Sequence, residues 1–417
     1  MEHLLHPDDA LYLVLDHARN HPMKTETVPL EDSLGRALPF TVSSLLDQPP
    51  FDKSAMDGYA YRRSAGVISR TEKPYAVIDT VAAGSVHPGR LHPGEAVRIM
   101  TGAPIPRDTE GVWRVEWTTT EDGRVRFRER EPITNIIRRG ENLALGDPLV
   151  TPRLLAPQDL GVLAASGYGR IDVSRAPSVA VISTGDELRE PVAWTHNPLA
   201  EEVVEKALGE AGIFDSNAHL LAARVRLAAA RPVRAGIFPD DVEALVTAVG
   251  DALDKHDVVI LSGGVSMGDF DHVPEVARRL GVTGVFHELK MRPGKPTYFG
   301  TRGDRALFGL PGNPVSSFLA CELFVVPYLL VRAGITHTSP LVDCIIARDL
   351  RRRSLDNVAF LPARVNWPGN VVEPMNYTGS SMINVLAGAD ALIRLEIGQE
   401  FVSEGSRVQA LLIRHRP

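Results

Sequence analysis

The feature that most narrows the fold is an alternation that begins at Ser178. SVAVIST, VRAGIF and DVVILS are short, apolar, β-branched runs, and the intervening DSNAHLLAARVRLAAA and DDVEALVTAVGDAL repeat their apolar residues at helical spacing. Short strands alternating with helices of about ten to fifteen residues predict a parallel, doubly wound sheet. Crossovers of constant hand place the carboxyl ends of such strands on one edge, where these sheets bind ligands. STGDEL (183–188), SGGVSMGDFD (262–271) and GLPGNP (309–314) all follow strands and fall on that edge.

The stretch Asp257 to Phe318 carries most of the chemistry. Val258 to Leu261 form a buried strand stopped by Ser262, Gly263 and Gly264, and Asp269, Asp271 and the helical HVPEVARRLG follow. Leu307 to Leu310 repeat the plan, with Pro311-Gly312 as the turn, Asn313 as N-cap and Pro314 at the first helical position. Lys290, Arg292 and Lys295 lie between. Glycine turns and helix N-termini offer free N–H groups to an oxyanion, and the carboxylates suit a hard cation such as Mg²⁺ beside it. Singly, each piece reads as a tight turn or a solvated cation; as an ordered set they indicate a phosphate or oxyanion site.

At 417 residues the chain has room for several domains, and its 44% hydrophobic and 23% charged content is that of a globular protein. A net charge of −7 without a basic tail argues against nucleic-acid binding. The basic patch ARDLRRRS (347–354) reads as a solvated strand end. Cys321 and Cys344 lie in separate apolar runs and read as reduced core residues, and no CxxC or HExxH spacing supports zinc. The acidic start is not a signal peptide, and SFLACELFVVPYLLV (317–331), interrupted by Glu322 and Pro327, reads as a buried helix rather than a membrane span. A soluble, cytoplasmic protein is expected.

Residues 7–18 predict an amphipathic helix, and TVPLEDSLGRAL a strand followed by a short helical piece. Between 45 and 141 the runs YAVIDTV, EAVRIM, GVWRVEW and RVRFRER predict strands, with Glu121-Asp122-Gly123 turning between the last two. FDKSAMDGYA and IMTGAPIPRDT lie in this block, and PQDLGVLAASG after it predicts a helix ended by glycine. From 332 to the end, strands return, with a short helix from Ser381 to Ala387.

MDGYA (56–60), MTGAPIP (100–106), STGDEL, DSN (215–217), SGGVSMGDFD, MRPGKP (291–296) and GLPGNPVS occur in this order. Together they resemble the molybdopterin molybdenumtransferases, bacterial relatives of the gephyrin E domain. The resemblance implies an α/β multidomain chain with four domains. Residues 1–44 plus 142–177 would form a discontinuous connecting domain and 45–141 a β-rich lid. Residues 178–331 would be the doubly wound, mostly parallel molybdopterin-binding domain and 332–417 a C-terminal β-barrel-like domain. It further implies insertion of molybdate into adenylylated molybdopterin with release of AMP, Mg²⁺ as cofactor, a homodimer sharing its cleft, and contact with the molybdopterin adenylyltransferase.

On that resemblance Asp186, Glu187, Asp57, Thr101, Arg292 and Lys295 are the catalytic set. Ser262, Gly263, Gly264, Ser266, Pro311, Gly312, Asn313, Pro314 and Ser380 bind substrate, and Asp240, Asp271 and Glu187 face the metal. From the residues alone, Asp186, Asp240 and Asp271 are also readable as helix caps, and Asp57 and Thr101 read as turn formers. The chain also departs from the family. Asn142 replaces an acid, Glu288 stands where many members carry Lys, and 191–211 is longer than usual, with an amphipathic segment at 198–212. These departures keep open a scaffold or partner-binding relative. A nucleotide pyrophosphatase or adenylyltransferase built on the same α/β module is a further reading, though it would need neither the 45–141 block nor the C-terminal domain.

Overall fold

The computed structural model describes residues 4–64, 73–128, 133–192, 200–265 and 271–414. They fall into two compact units, one of Met1–Phe40, Pro152–Ala156 and Arg170–Pro417, the other of Thr41–Thr151 and Pro157–Gly169.

In the first unit a six-stranded sheet runs in the order Arg231–Phe238, Ser178–Thr184, Val258–Ser262, Arg305–Leu310, Pro296–Arg302, Thr283–Glu288. The first four strands are parallel, as expected. The last two form an antiparallel hairpin absent from the sequence reading, which treated MRPGKP only as a cationic loop. The chain leaves Ser178–Thr184 toward one neighbour and returns through helix Val242–Lys255 to the other side. Strand order therefore reverses between Ser178–Thr184 and Val258–Ser262, which makes their carboxyl ends the ligand crevice.

Both faces of this sheet are covered, which explains the unbroken apolar runs. Val179, Val181, Val258, Ile260 and Phe308 point into one core with helices Asn217–Leu227 and Pro7–Asn20. Ala180, Ile182, Val259, Leu261 and Leu307 point into the opposite core with Val242–Lys255 and Val273–Arg279. That alternation is the two-residue period of a strand, and each buried Val, Leu, Ile or Phe contributes about 1.5–3 kcal/mol. Pro314–Arg332 is apolar and long enough to cross a bilayer by length and composition, yet it is mostly buried in the first of these cores. Its middle, Cys321–Val325, is a π-helical segment, and Glu322 there receives a hydrogen bond from Arg224 (2.7 Å).

The C-terminal strands close on themselves. Val358–Asn366 pairs with Val371–Pro374, then come Leu341–Ile346, Arg407–Leu412 and Ala391–Leu395, which returns to Val358–Asn366. Closure leaves this five-stranded barrel without a free edge. Met291–Arg292 pairs in parallel with Val358–Ala359, fastening the cationic loop to the barrel. Val315 N–H donates to Ser380 O (3.0 Å), a second tether, and Arg394 grips both carboxylate oxygens of Asp8 at 2.8 and 2.7 Å.

The second unit holds a six-stranded sheet ordered Gly111–Arg114, Gly58–Tyr61, Glu95–Ile99, Tyr75–Val81, Arg124–Phe127, Thr118–Glu121. Asp122-Gly123 makes the expected tight turn, with φ of 48° and 73°. It joins Thr118–Glu121 to Arg124–Phe127, whereas GVWRVEW stops being a strand at Arg114 and continues as a 3₁₀ turn. Trp113 stacks on Phe127 with centroids 4.2 Å apart, and Tyr61 and Tyr75 pack around the pair.

Candidate functional site

The floor of the crevice is a meeting of glycine turns. Gly263 has φ 96°, and a Cβ there would lie 2.4 Å from the Thr184 carbonyl oxygen, so only glycine lets the two loops touch. The Gly263 N–H donates to Leu310 O (3.0 Å), which brings in the turn at Pro311-Gly312. Asn217, buried at the start of its helix, donates through Nδ2 to Ser262 Oγ and to Gly312 O, both at 2.8 Å. Ser262, Gly263, Gly264, Pro311 and Gly312 are thus brought together. Asn313 caps helix Pro314–Ala320 by position, with Pro314 in the first turn, while its side chain makes no capping bond. Ser266 and Asp269 lie outside the described residues.

The acids ring this floor differently from one another. Asp240 accepts from Thr184 Oγ1 (2.6 Å), and the helix behind it is capped by Asp241, whose carboxylate accepts from Ala244 N. Asp186 and Glu187 are exposed in the turn after Gly185, where no helix begins. The Glu187 carboxylate folds back over Gly185, whose added Cβ would lie 2.6 Å from Oε2. Asp271 precedes the N-cap His272, and its Oδ2 sits 2.9 Å from His287 Nε2. Burial raises the Asp271 carboxyl above its ordinary range against the pull of His287, and its buried Oδ1 has no partner among the described residues. The capping alternatives for Asp186 and Asp240 therefore do not hold.

Among the described residues no three His, Cys, Asp or Glu side chains gather as a metal cage. The donor set suits an ion that takes one or two carboxylates and fills its shell with water and phosphate oxygens.

Beside the floor, sharing Pro311 and Asn313 with it, opens a cavity of about 620 Å³ between the Met291–Pro296 loop and the barrel. Arg292, Lys295, Arg352 and Arg353 line it together with Tyr377 and Ser380, and among the described residues no carboxylate does. Two arginines of the basic run at 347–354 thus line this cavity, Arg352 half-buried and Arg353 still exposed to solvent. Arg352 is spent on the carbonyls of Asn357 (2.8 Å), Gln399 (2.7 Å) and Glu396, whereas Arg353 and Arg292 have no ion-pair partner among the described residues. Lys295 pairs with Glu288 (3.3 Å). Burial pushes the Tyr377 phenol up to about 12, which keeps it a neutral O–H donor at pH 7. Ser380 was expected here; Arg352, Arg353 and Tyr377 were not, because nothing local in sequence ties the barrel to this loop.

Asp57 and Thr101 meet in the second unit. Thr101 donates to Asp57 Oδ1 from both N and Oγ1, each at 2.7 Å, and these bonds hold the exposed carboxyl below its ordinary range. Asn142 joins a turn through its backbone N–H, which donates to Gln48 O (2.9 Å).

A doubly wound sheet with glycine turns at its reversal point, beside a cavity lined by cations, defines an α/β protein with its crevice at the strand ends. Residues 5–167 match the MoeA N-terminal region (domain I and II), 180–331 a probable molybdopterin binding domain, and 347–413 the MoeA C-terminal region (domain IV). The chain is 34% identical to the molybdopterin molybdenumtransferase of Bacillus subtilis (94% of this chain, 90% of that one). Its identity to the Staphylococcus aureus (strain MRSA252) protein of that name is 32% (94% and 91%). A crystal structure of the molybdopterin biosynthesis moeA protein from Pyrococcus horikoshii matches with a TM-score of 0.80 at 28% identity, over 99% of this chain and all of that one. The chain belongs to the molybdopterin molybdenumtransferase family.

Proposed function

We propose that this chain transfers molybdenum, taking adenylylated molybdopterin and molybdate and releasing AMP with the metallated cofactor. The observation that carries the reading is the junction at Pro311–Asn313, where a floor of glycine turns meets a cavity lined, among the described residues, by four cations and no acid. In this reading the N–H groups of Gly264 and Gly312 and the Ser262 hydroxyl hold phosphate, while Gly263, whose N–H is bonded to Leu310 O, shapes the floor. Arg292, Lys295 and Arg353 hold the tetrahedral oxyanion through charge-assisted hydrogen bonds, with Ser380 and Tyr377 as neutral donors.

Asp186, Glu187, Asp240 and Asp271 are the groups that would hold Mg²⁺. The bound ion supplies Lewis-acid neutralisation of the anhydride. The fourfold division at 1–44 plus 142–177, 45–141, 178–331 and 332–417 belongs to the same proposal. So do a homodimer in which Asp57 and Thr101 serve a partner's cleft, a cytoplasmic location, and receipt of substrate from the adenylyltransferase. The scaffold alternative is not favoured, since the cationic cavity has no use in it.

The test supplies adenylylated molybdopterin, Mg²⁺ and molybdate and follows AMP and metallated pterin. Bound substrate with no molybdate-dependent AMP release would refute the reading.

A further inference from the structure

Of the four cavity cations, Lys295 alone is held by a carboxylate among the described residues. Glu288 is the last residue of strand Thr283–Glu288 and lies opposite Pro296 at the mouth of the hairpin, which the Leu289 N–H closes on Lys295 O (2.9 Å). Glu288 and Lys295 are therefore cross-strand neighbours, about 30% exposed each (27% and 31%), with Oε2 3.3 Å from Nζ. The other candidate partner, Lys290, does not line the cavity; its backbone bonds to Leu5 and Val358 instead. The Glu288 carboxylate is thus spent on one of the cavity's cationic charges.

We propose that Glu288 is a positioning residue that sets the oxyanion affinity of the cavity by holding Lys295. This rests on the reading of the cavity as the oxyanion site. In the empty cavity Glu288 cancels the Lys295 charge, and Arg292 and Arg353 supply the free attraction. An arriving dianion must draw the ammonium away from Glu288, so the broken pair is subtracted from the affinity and product release is eased by re-forming it. A pair about 30% exposed and separated by 3.3 Å lies between the surface and buried regimes, so the subtraction corresponds to roughly three- to tenfold in Kd.

The experiment measures molybdate binding, with sulfate as a second probe, and the molybdate dependence of AMP release. Glu288→Gln, which keeps shape and removes charge, should tighten both anions roughly three- to tenfold. The change should fall on the half-saturating molybdate concentration rather than on kcat. Glu288→Asp, which keeps the charge, should stay near the parent, and in a Lys295→Met background Glu288→Gln should lose most of its effect. Unchanged or weaker binding in Glu288→Gln, or equal tightening without Lys295, overturns the proposal. Arg292→Ala separates the two levels. If it fails to weaken the anions, the cavity reading falls and takes the proposal with it. If it weakens them while Glu288→Gln changes nothing, only the role of Glu288 falls.

Discussion

Gly263 and Thr184 belong to adjacent loops, and no side chain fits between them: a β-carbon on Gly263 would stand 2.4 Å from the Thr184 carbonyl oxygen. The contact lets the ends of the two central strands share one floor, and Asn217 pins it by bonding Ser262 and Gly312 at once.

Gly263→Ala should therefore fail twice. At φ 96° an alanine is strained by about 1–3 kcal/mol, and the methyl must push the Thr184 loop away. A lower Tm together with lost AMP or pterin-phosphate binding is expected. Full binding affinity would show that the floor does not touch the ligand.

Arg352 and Arg353 are neighbours in sequence but should separate cleanly in experiment. Arg353 is exposed without an ion-pair partner among the described residues, so Arg353→Ala should leave Tm within the spread of ordinary surface changes. Molybdate binding should weaken roughly tenfold through loss of a charge-assisted contact. Arg352→Ala strips a donor from the carbonyls of Asn357, Gln399 and Glu396 and should cost about 1–3 kcal/mol of stability. Parallel thermal melts and molybdate titrations of both variants decide this.

The floor could be read from sequence because it is made locally: each turn follows its own strand, and the alternation of helices and strands forces the turns onto one edge. The same logic placed Asn313 and Pro314 at a helix start. The cavity could not be read this way. Arg352 and Arg353 reach it only because Met291–Arg292 pairs with Val358–Ala359, a two-residue parallel contact between segments with no shared periodicity. Charge density at 347–354 was visible, but its direction depended on closure of the barrel. The cap alternative for Asp240 likewise turns on a one-residue difference, since Asp241 rather than Asp240 bonds Ala244 N, and that for Asp186 fails because a turn and not a helix follows it.

Asp257 offers a pH test in the sheet's support. Burial alone pushes its carboxyl up, but the hydrogen bonds from Arg175 (2.8 Å) and from Ser178 N (2.8 Å) outweigh it and hold the carboxyl below its ordinary range. A depressed carboxyl gives stability that is complete above the unfolded pKa of about 3.9 and lost as pH falls through the lower folded value. Asp257→Asn should be less stable than the parent at pH 7 by about 1–2 kcal/mol, allowing for the half-exposed Arg175. The gap should close below about pH 4. Melting curves from pH 3 to 7 test it, and a constant gap would exclude Asp257 ionisation as its source.

Glu187 separates chemistry from structure more sharply than any other acid here. It is exposed, bonds no described side chain, and caps no helix, so Glu187→Gln has little folded structure to disturb. Asp240 differs, because Asp240→Ala removes the Oδ1 that accepts from Thr184 Oγ1 and should lower both Tm and turnover. If Glu187 ligates or orients Mg²⁺ at the anhydride, Glu187→Gln should cut AMP release roughly a hundredfold or more at unchanged Tm and unchanged molybdate affinity. The cationic cavity has its own side chains and needs no help from Glu187 to bind the anion. Excess Mg²⁺ should then restore part of the rate if the loss is one of affinity, and none if Glu187 also moves a proton. AMP release at the parental rate would remove Glu187 from the reaction and leave its fold over Gly185 as a feature of the turn alone.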